Sequence, residues 1–348
     1  MRTRPSAPIL TLLTSTPVSA APPPAGESPA RSGAIVAPLH DLGTLVFEGA
    51  DAASFLQGQL SNDVSALAAG AAQWTSYNSP KGRMLATLLL WRAGPASFRA
   101  WVAADLAATL RKRLAMFVLR AKVTVSDRTA ESRRFGVAGP GASDALLAAL
   151  GAAPQPSQGL NVATCIVVAT PDGRVIVDAP DDVADATERS LAAHACGASA
   201  EHWHWLGIRA GVPVITGPTQ DLFVPQHANW DLVGGVNFRK GCYPGQEIVA
   251  RMQYLGRMKE RLFAFHVDAK PPAAATPLFH PEFGAQACGT VVNAAAAPEG
   301  GSDLLAVVQW SALAAPALHL GAPEGPTLTP LPLPYDVPDP STASRPKL

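Results

Sequence analysis

The chain carries four cysteines, and one of them, Cys242, stands in a run whose neighbours could activate a thiol: Lys240-Gly241-Cys242-Tyr243-Pro244-Gly245-Gln246-Glu247. Arg239 and Lys240 precede the thiol, and helix-forming residues from Gln246 to Met252 follow it. Nearby cations and the positive end of a helix dipole each favour thiolate, the nucleophilic form, over thiol. Gly241 and Gly245 flank Cys242, and glycine allows backbone angles that a tight, accessible loop requires. The alternative is a small apolar residue packed in a structural turn. Cys165 in an apolar strand, Cys196 at an Ala-rich helix end and Cys288 in a later strand are all expected to be packing residues.

Other chemistry-bearing residues are more dispersed. Asn78 and Lys81 fall in Asn78-Ser79-Pro80-Lys81-Gly82, a strong turn signal that suits either a cavity rim or a plain hairpin tip. His202 and His204 lie two apart in a helix, so they face different directions, and no third ligand is near; no metal site is expected. Arg111, Lys112, Arg113, Arg120 and Lys122 form a basic cluster that could meet phosphates or the glutamate tail of a folate, although a solvated helix face is the simpler assignment.

The elements that must position these groups read as follows. Ile35–Ala37, Thr44–Phe47, Trp74–Tyr77 and Met84–Trp91 are strand-like, the last two joined by the turn at 78–82 as a hairpin. Asp51 is expected to cap a short helix carrying Phe55, Leu56 and Leu60. Leu106, Leu110 and Leu114 define a helical stripe that Val118 extends. Val162–Ala169 and Arg174–Val177 pair across Asp172-Gly173, and helices follow at about 185–194 and 202–210, the second stopped by Gly211-Val212-Pro213. An irregular segment, 217–235, leads into the cysteine run. From about Arg261 short strands, Leu262–Val267, Ala287–Val292 and Leu304–Trp310, suggest a small β-barrel. The class is α+β.

With 348 residues, 48% of them apolar, the chain has material for two or three domains. Lys and Arg number 27, as do Asp and Glu, so no global field draws it to nucleic acid or an anionic membrane. No apolar run approaches the roughly 20 residues that span a bilayer. The cysteine spacing matches neither paired zinc ligands nor a disulfide framework, which suits a reducing, cytoplasmic setting. Arg2, Arg4 and Ile9–Leu13 faintly resemble a targeting signal, but Pro17 and Pro22–Pro24 favour a disordered extension.

Gly211-Val212-Pro213, Phe223-Val224-Pro225-Gln226, Asn229, Gly235-Val236-Asn237-Phe238 and Lys240 through Arg251 together resemble the signature of the YgfZ family. Phe55-Leu56-Gln57-Gly58-Gln59-Leu60-Ser61-Asn62-Asp63-Val64 and Lys81-Gly82-Arg83 resemble that family and its relative, the T-protein of the glycine cleavage system. The resemblance runs from about residue 35 to 335. It implies a three-lobed, T-protein-like ring: a disordered extension at 1–33, two α+β lobes within 34–258, a small C-terminal β-barrel at 259–336 and a mobile tail at 337–348. It implies a folate-binding accessory protein that acts through Cys242, with Lys240 and Arg239 beside it. Its partners would be iron–sulfur client enzymes and assembly factors, with a link to cluster-dependent tRNA modification, little call for direct tRNA binding and none for a membrane. Tetrahydrofolate or a reduced derivative is expected between the lobes, against the hairpin at 78–84 and the segment 217–238. Asn78, Lys81, Arg209, Gln226, Phe238 and Tyr243 are its expected contacts.

The chain departs from the T-protein in two places. T-proteins carry an aspartate important for aminomethyl transfer where Ala86-Thr87 stand here, and neither residue is a general base. A pterin-contacting glutamate falls near Arg209, which offers only donors. Folate-dependent aminomethyl transfer is therefore the alternative function rather than the leading one.

Overall fold

The computed structural model describes residues 33–254, 258–313 and 317–339; the expected N-terminal extension up to residue 32 and the end of the tail from 340 lie outside the described residues. Two adjacent strands, β1 (Ile35–Pro38) and β2 (Leu42–Glu48), enter different sheets. β2 joins β3 (Ala72–Asn78), β4 (Met84–Gly94), β5 (Ser97–Ala103) and β6 (Thr124–Asp127) in a five-stranded sheet ordered β3-β4-β5-β2-β6. Its helices are α1 (Ala52–Gln57) and α2 (Ala104–Ala115). β4 is buried from Met84 through Trp91, as its continuous apolar run requires of an inner strand.

β1 instead pairs with β7 (Ser132–Ala138) and β11 (Cys196–Gly197) in a six-stranded sheet completed by β10 (Val175–Pro180), β9 (Cys165–Ala169) and β8 (Gly159–Val162). Helices α3 (Ala142–Leu150) and α4 (Asp181–Ala192) pack against each other in this second lobe. The third lobe is a curled half-barrel. Its strands run β16 (His319–Leu320), β13 (Pro277–Phe279), β14 (Ala287–Ala296), β15 (Ser302–Gln309), β12 (Glu260–Val267) and β17 (Thr329–Leu331). The expected barrel is thus open rather than closed.

The lobes share a core. Leu262 and Ala264 on one face of β12 join a cluster with residues of both other sheets, while Phe265 and Val267 serve the third lobe's own cluster. Buried carboxylates pin the joints. Asp178 on β10 accepts from Trp101 Nε1 at 2.9 Å and Thr44 Oγ1 at 3.1 Å across the first two lobes. Asp303 on β15 accepts from Trp205 Nε1 at 2.8 Å, fastening helix α5 (Ala200–Arg209) to the third lobe. A hydrogen bond to an ionised acceptor contributes about 1.5–3 kcal/mol, so these pins matter beside the apolar core. The other side of α5 meets β7, where Gly136 leaves room for Trp203: a methyl group there would lie 2.4 Å from the ring. Near the C-terminus, the Tyr335 hydroxyl donates to the Gly211 carbonyl at 2.7 Å.

Several sequence expectations change in detail. Strands β5 and β7 lacked a clear signal beforehand because Arg99, Arg133 and Arg134 interrupt their apolar pattern. Asp51 does sit at the N-terminus of α1, but its carboxylate accepts from Lys122 N at 2.7 Å instead of capping the helix. The α2 helix ends at Ala115, leaving Val118 beyond it. Cys196 is exposed in β11, a two-residue strand, and is not a packing residue.

Candidate functional site

The loop carrying Cys242 is built on the β3–β4 hairpin. Gly82, with φ of +73°, turns the hairpin, and Gly245, with φ of +77°, turns the loop against it. The contact is backbone to backbone: a methyl group on Gly245 would lie 2.4 Å from the Ser79 carbonyl oxygen and 2.6 Å from Gly82 Cα. Only glycine fits such an approach at positive φ. Helix α6 (Gln246–Tyr254) starts immediately afterwards, with Val249 fully buried beneath it.

Cys242 is exposed, while the residues beside it are anchored. Tyr243 is buried, and its hydroxyl is pushed up to about 12 by that burial. Lys240 is also buried; its ammonium donates to the carbonyls of Gln57 and Leu60 at the end of α1 and lies 4.9 Å from the Tyr243 ring centre. Burial pulls Lys240 down to about 8, with Asp63 and Cys242 acting in the opposite sense. Its two carbonyl acceptors also favour the charged form, so the ammonium prevails at neutral pH. Lys240 therefore fixes the loop from below, whereas Arg239 remains on the surface, its backbone N–H held by Asn237 Oδ1 at 2.8 Å.

The segment before the loop is tied to the first lobe by polar contacts. Ser61 Oγ donates to Gly235 O at 2.6 Å, Asn62 Nδ2 to Gly234 O at 2.8 Å, and Asn237 N to Ser61 O at 3.0 Å. A second network fastens it to the third lobe. Arg261 forms a two-pronged pair with Asp231 at 2.7 and 3.1 Å, and Asn229 Nδ2 donates to Leu262 O at 2.9 Å. His227 lies 3.3 Å from Glu260, yet burial, with Arg261 and Arg83 nearby, holds it down to about 4. The imidazole is neutral at pH 7, so the contact is not an ion pair.

These joints account for the separated sequence pieces, which meet in space. A model described as the GCVT N-terminal domain matches residues 27–168. The "tRNA-modifying protein YgfZ" of Edwardsiella ictaluri is 33% identical over 306 residues, covering 85% of this chain and 91% of that protein. The chain belongs to the YgfZ family. The YgfZ protein of an Enterobacter species is 30% identical over 323 residues, covering 91% and 98%. Among solved structures, glycine cleavage aminomethyltransferase T from Bartonella henselae superposes with a TM-score of 0.73 over 87% of this chain and 86% of that one. At 16% identity this shows the T-protein-like fold, and the fold alone.

In this YgfZ-family chain the six expected folate contacts are scattered. Asn78 is buried, with Oδ1 accepting from Ser76 Oγ at 2.9 Å and Nδ2 without a partner among the described residues. Gln226 is buried and donates to Val249 O at 2.8 Å, its Oε1 without a partner among the described residues. Lys81 is exposed at the hairpin tip, Phe238 packs edge-on against Tyr254 at 6.4 Å, and Tyr243 lies under the cysteine loop. Arg209 stands 3.8 Å from Asp303 on the far joint. None of them lines the cleft of about 490 Å³ where the three lobes meet. That cleft has an apolar floor including Leu42, Trp203, Ile208 and Val212, with Asp41 and Asp105 on its walls. His204 Nε2 pairs with Asp41 at 2.9 Å, and Asp105 Oδ2 accepts from Gly217 N at 2.8 Å. Asp41 and Asp105 carried no distinguishing sequence signal.

At the position of the T-protein aspartate, Ala86 is fully buried, and the Thr87 hydroxyl accepts from Ile215 N at 3.0 Å. Among the described residues no group of His, Cys, Asp and Glu is arranged to hold a metal, and no helix is long and apolar enough to cross a membrane.

Proposed function

We propose that this protein is a folate-binding accessory factor that supports iron–sulfur enzymes, including those acting in tRNA modification, through Cys242. The carrying observation is the contrast within the motif: an exposed thiol on a loop whose neighbours Lys240 and Tyr243 are buried and bonded. A thiol held out by a fixed frame is presented to a partner; a packing cysteine would be covered. The relatives' name, tRNA-modifying protein, supports the link to tRNA.

The cleft between the lobes has the volume of a small-molecule site. Its carboxylates suit a ligand with paired N–H donors, such as the aminopyrimidine edge of a pterin, and its apolar floor suits the ring faces. Asp41, Asp105 and Trp203 are accordingly the residues that would hold it, in place of the contacts expected at the hairpin. When bound, a reduced folate supplies a carrier ring for one-carbon units. Thr87, at the place of the T-protein aspartate, has no carboxylate, and its hydroxyl already accepts from Ile215 N, so this position supplies no base for aminomethyl transfer.

Calorimetry with tetrahydrofolate should show binding that Asp105→Asn weakens at least tenfold; no heat of binding at millimolar ligand refutes the folate assignment. Cys242→Ala should abolish support of iron–sulfur enzyme activity in cells while stability stays within about 0.5 kcal/mol, the range of exposed substitutions. Full support by the Ala variant refutes the role of the thiol.

A further inference from the structure

Beyond the end of α2 the chain exposes three large apolar side chains within four residues: Met116 at 62%, Phe117 at 46% and Leu119 at 88%. Single exposed apolar residues are common, but a contiguous group marks an interaction surface. The loop is held in place. Leu119 sits at φ of +41°, and backbone bonds from Phe117 N to Leu114 O and from Ala121 N to Val118 O close successive turns.

The charge along this stretch of chain is of one sign. From Leu106 to Ser126 the chain has five cations, Arg111, Lys112, Arg113, Arg120 and Lys122, and no acid. Arg111 donates to Val125 O at 3.2 Å and Arg113 to Tyr77 Oη at 3.3 Å, whereas Lys112 and Arg120 have no side-chain partner among the described residues. The facing acids are occupied: Asp51 accepts the Lys122 N–H, Asp127 accepts the Thr129 N–H, and Glu131 pairs with Arg128. An open groove of about 630 Å³ between α2 and β6 continues from Arg111 and Lys112.

We propose that this surface, 111–122, docks a segment of a partner protein that combines acidic residues with apolar side chains. Charge complementarity selects an anionic partner. The apolar group selects protein over RNA: single strands bind on rows of aromatic side chains, and Phe117 is the one aromatic residue among 106–126, whereas Met and Leu suit adaptable protein contacts. The surface is also coupled to the thiol loop. Arg113 lies over the Tyr77 ring, and β3 leads from Tyr77 directly into the turn that supports Gly245.

The test places the photo-crosslinking residue p-benzoylphenylalanine at position 119 of the full chain in cells, with position 160, an exposed leucine of the second lobe, as control. Adducts are mapped by mass spectrometry with and without ribonuclease. The expected result is a protein adduct at 119 and not at 160, whose crosslinked peptide has more Asp and Glu than Lys and Arg. Its yield should fall at least tenfold in the Lys112→Glu, Arg120→Glu double variant, and circular dichroism should show that variant folded. A ribonuclease-sensitive adduct, a peptide without acidic excess, a yield indifferent to charge reversal, or no adduct above the control overturns the proposal.

Discussion

Gly245→Ala isolates the backbone contact on which the thiol loop stands. The new methyl group would meet Ser79 O at 2.4 Å and Gly82 Cα and N at 2.6 Å, all main-chain atoms with no flexible side chain to yield. Gly245 also lies at φ of +77°, where an L-residue costs about 1–2 kcal/mol more than glycine. Overpacking adds about 1–3 kcal/mol, and the smaller freedom of alanine in the unfolded chain returns about 0.4–1 kcal/mol. The net loss is about 1–5 kcal/mol, a large share of the 5–15 or so that holds a typical domain. Gly241→Ala is the matched control: it adds the same methyl group in the same loop, with no heavy atom within 4 Å. Urea unfolding followed by tryptophan fluorescence should show the Gly245 variant destabilised and the Gly241 variant within about 0.5 kcal/mol of the parent. Two variants indistinguishable from each other would refute the docking of loop on hairpin.

Three further outcomes follow from the same geometry. His227 is held down to about 4 against an ordinary 6.5, so the unfolded chain takes up the proton first as pH falls; stability should drop between pH 6.5 and 4 at up to about 1.4 kcal/mol per unit, and His227→Gln should remove that component, an unchanged slope counting against it. Asp231→Asn leaves the buried Arg261 guanidinium uncompensated and should cost about 3–5 kcal/mol by denaturant unfolding, a loss under 1 kcal/mol contradicting the buried pair. Iodoacetamide under native conditions should modify Cys242 and Cys196 while Cys165 and Cys288 stay protected until unfolding, as mass spectrometry would record; early labelling at either buried site contradicts their placement.

The fold was legible where patterns were local. The hairpin from β3 to β4, the leucine stripe of α2 and the even spacing of the last strands each follow from a period or a turn signal. The exchange of β1 into the second sheet was not legible, since a strand of four residues carries no mark of its distant partners at Ala138 and Cys196. At the site, the exposed cysteine and its glycines were visible as a motif. The direction of Lys240 was not: two residues from Cys242 in sequence it reads as an activating neighbour, but its length lets it reach the Gln57 and Leu60 carbonyls. Asp41 and Asp105 were invisible for a similar reason, because a cleft formed by three lobes draws single residues from unrelated stretches of chain.

The hydrogen bond from Tyr335 to Gly211 has a consequence for the timing of synthesis. Gly211 is buried, and its carbonyl finds this donor in a residue that emerges after nearly all the rest of the described chain. A nascent chain can complete the first two sheets while that acceptor is still waiting, and a product ending short of residue 335 leaves it permanently without this donor. A chain cut short of Tyr335 thus lacks one buried contact that the longer chain makes, and cellular proteolysis, which samples loosened structure, has a physical basis for removing it.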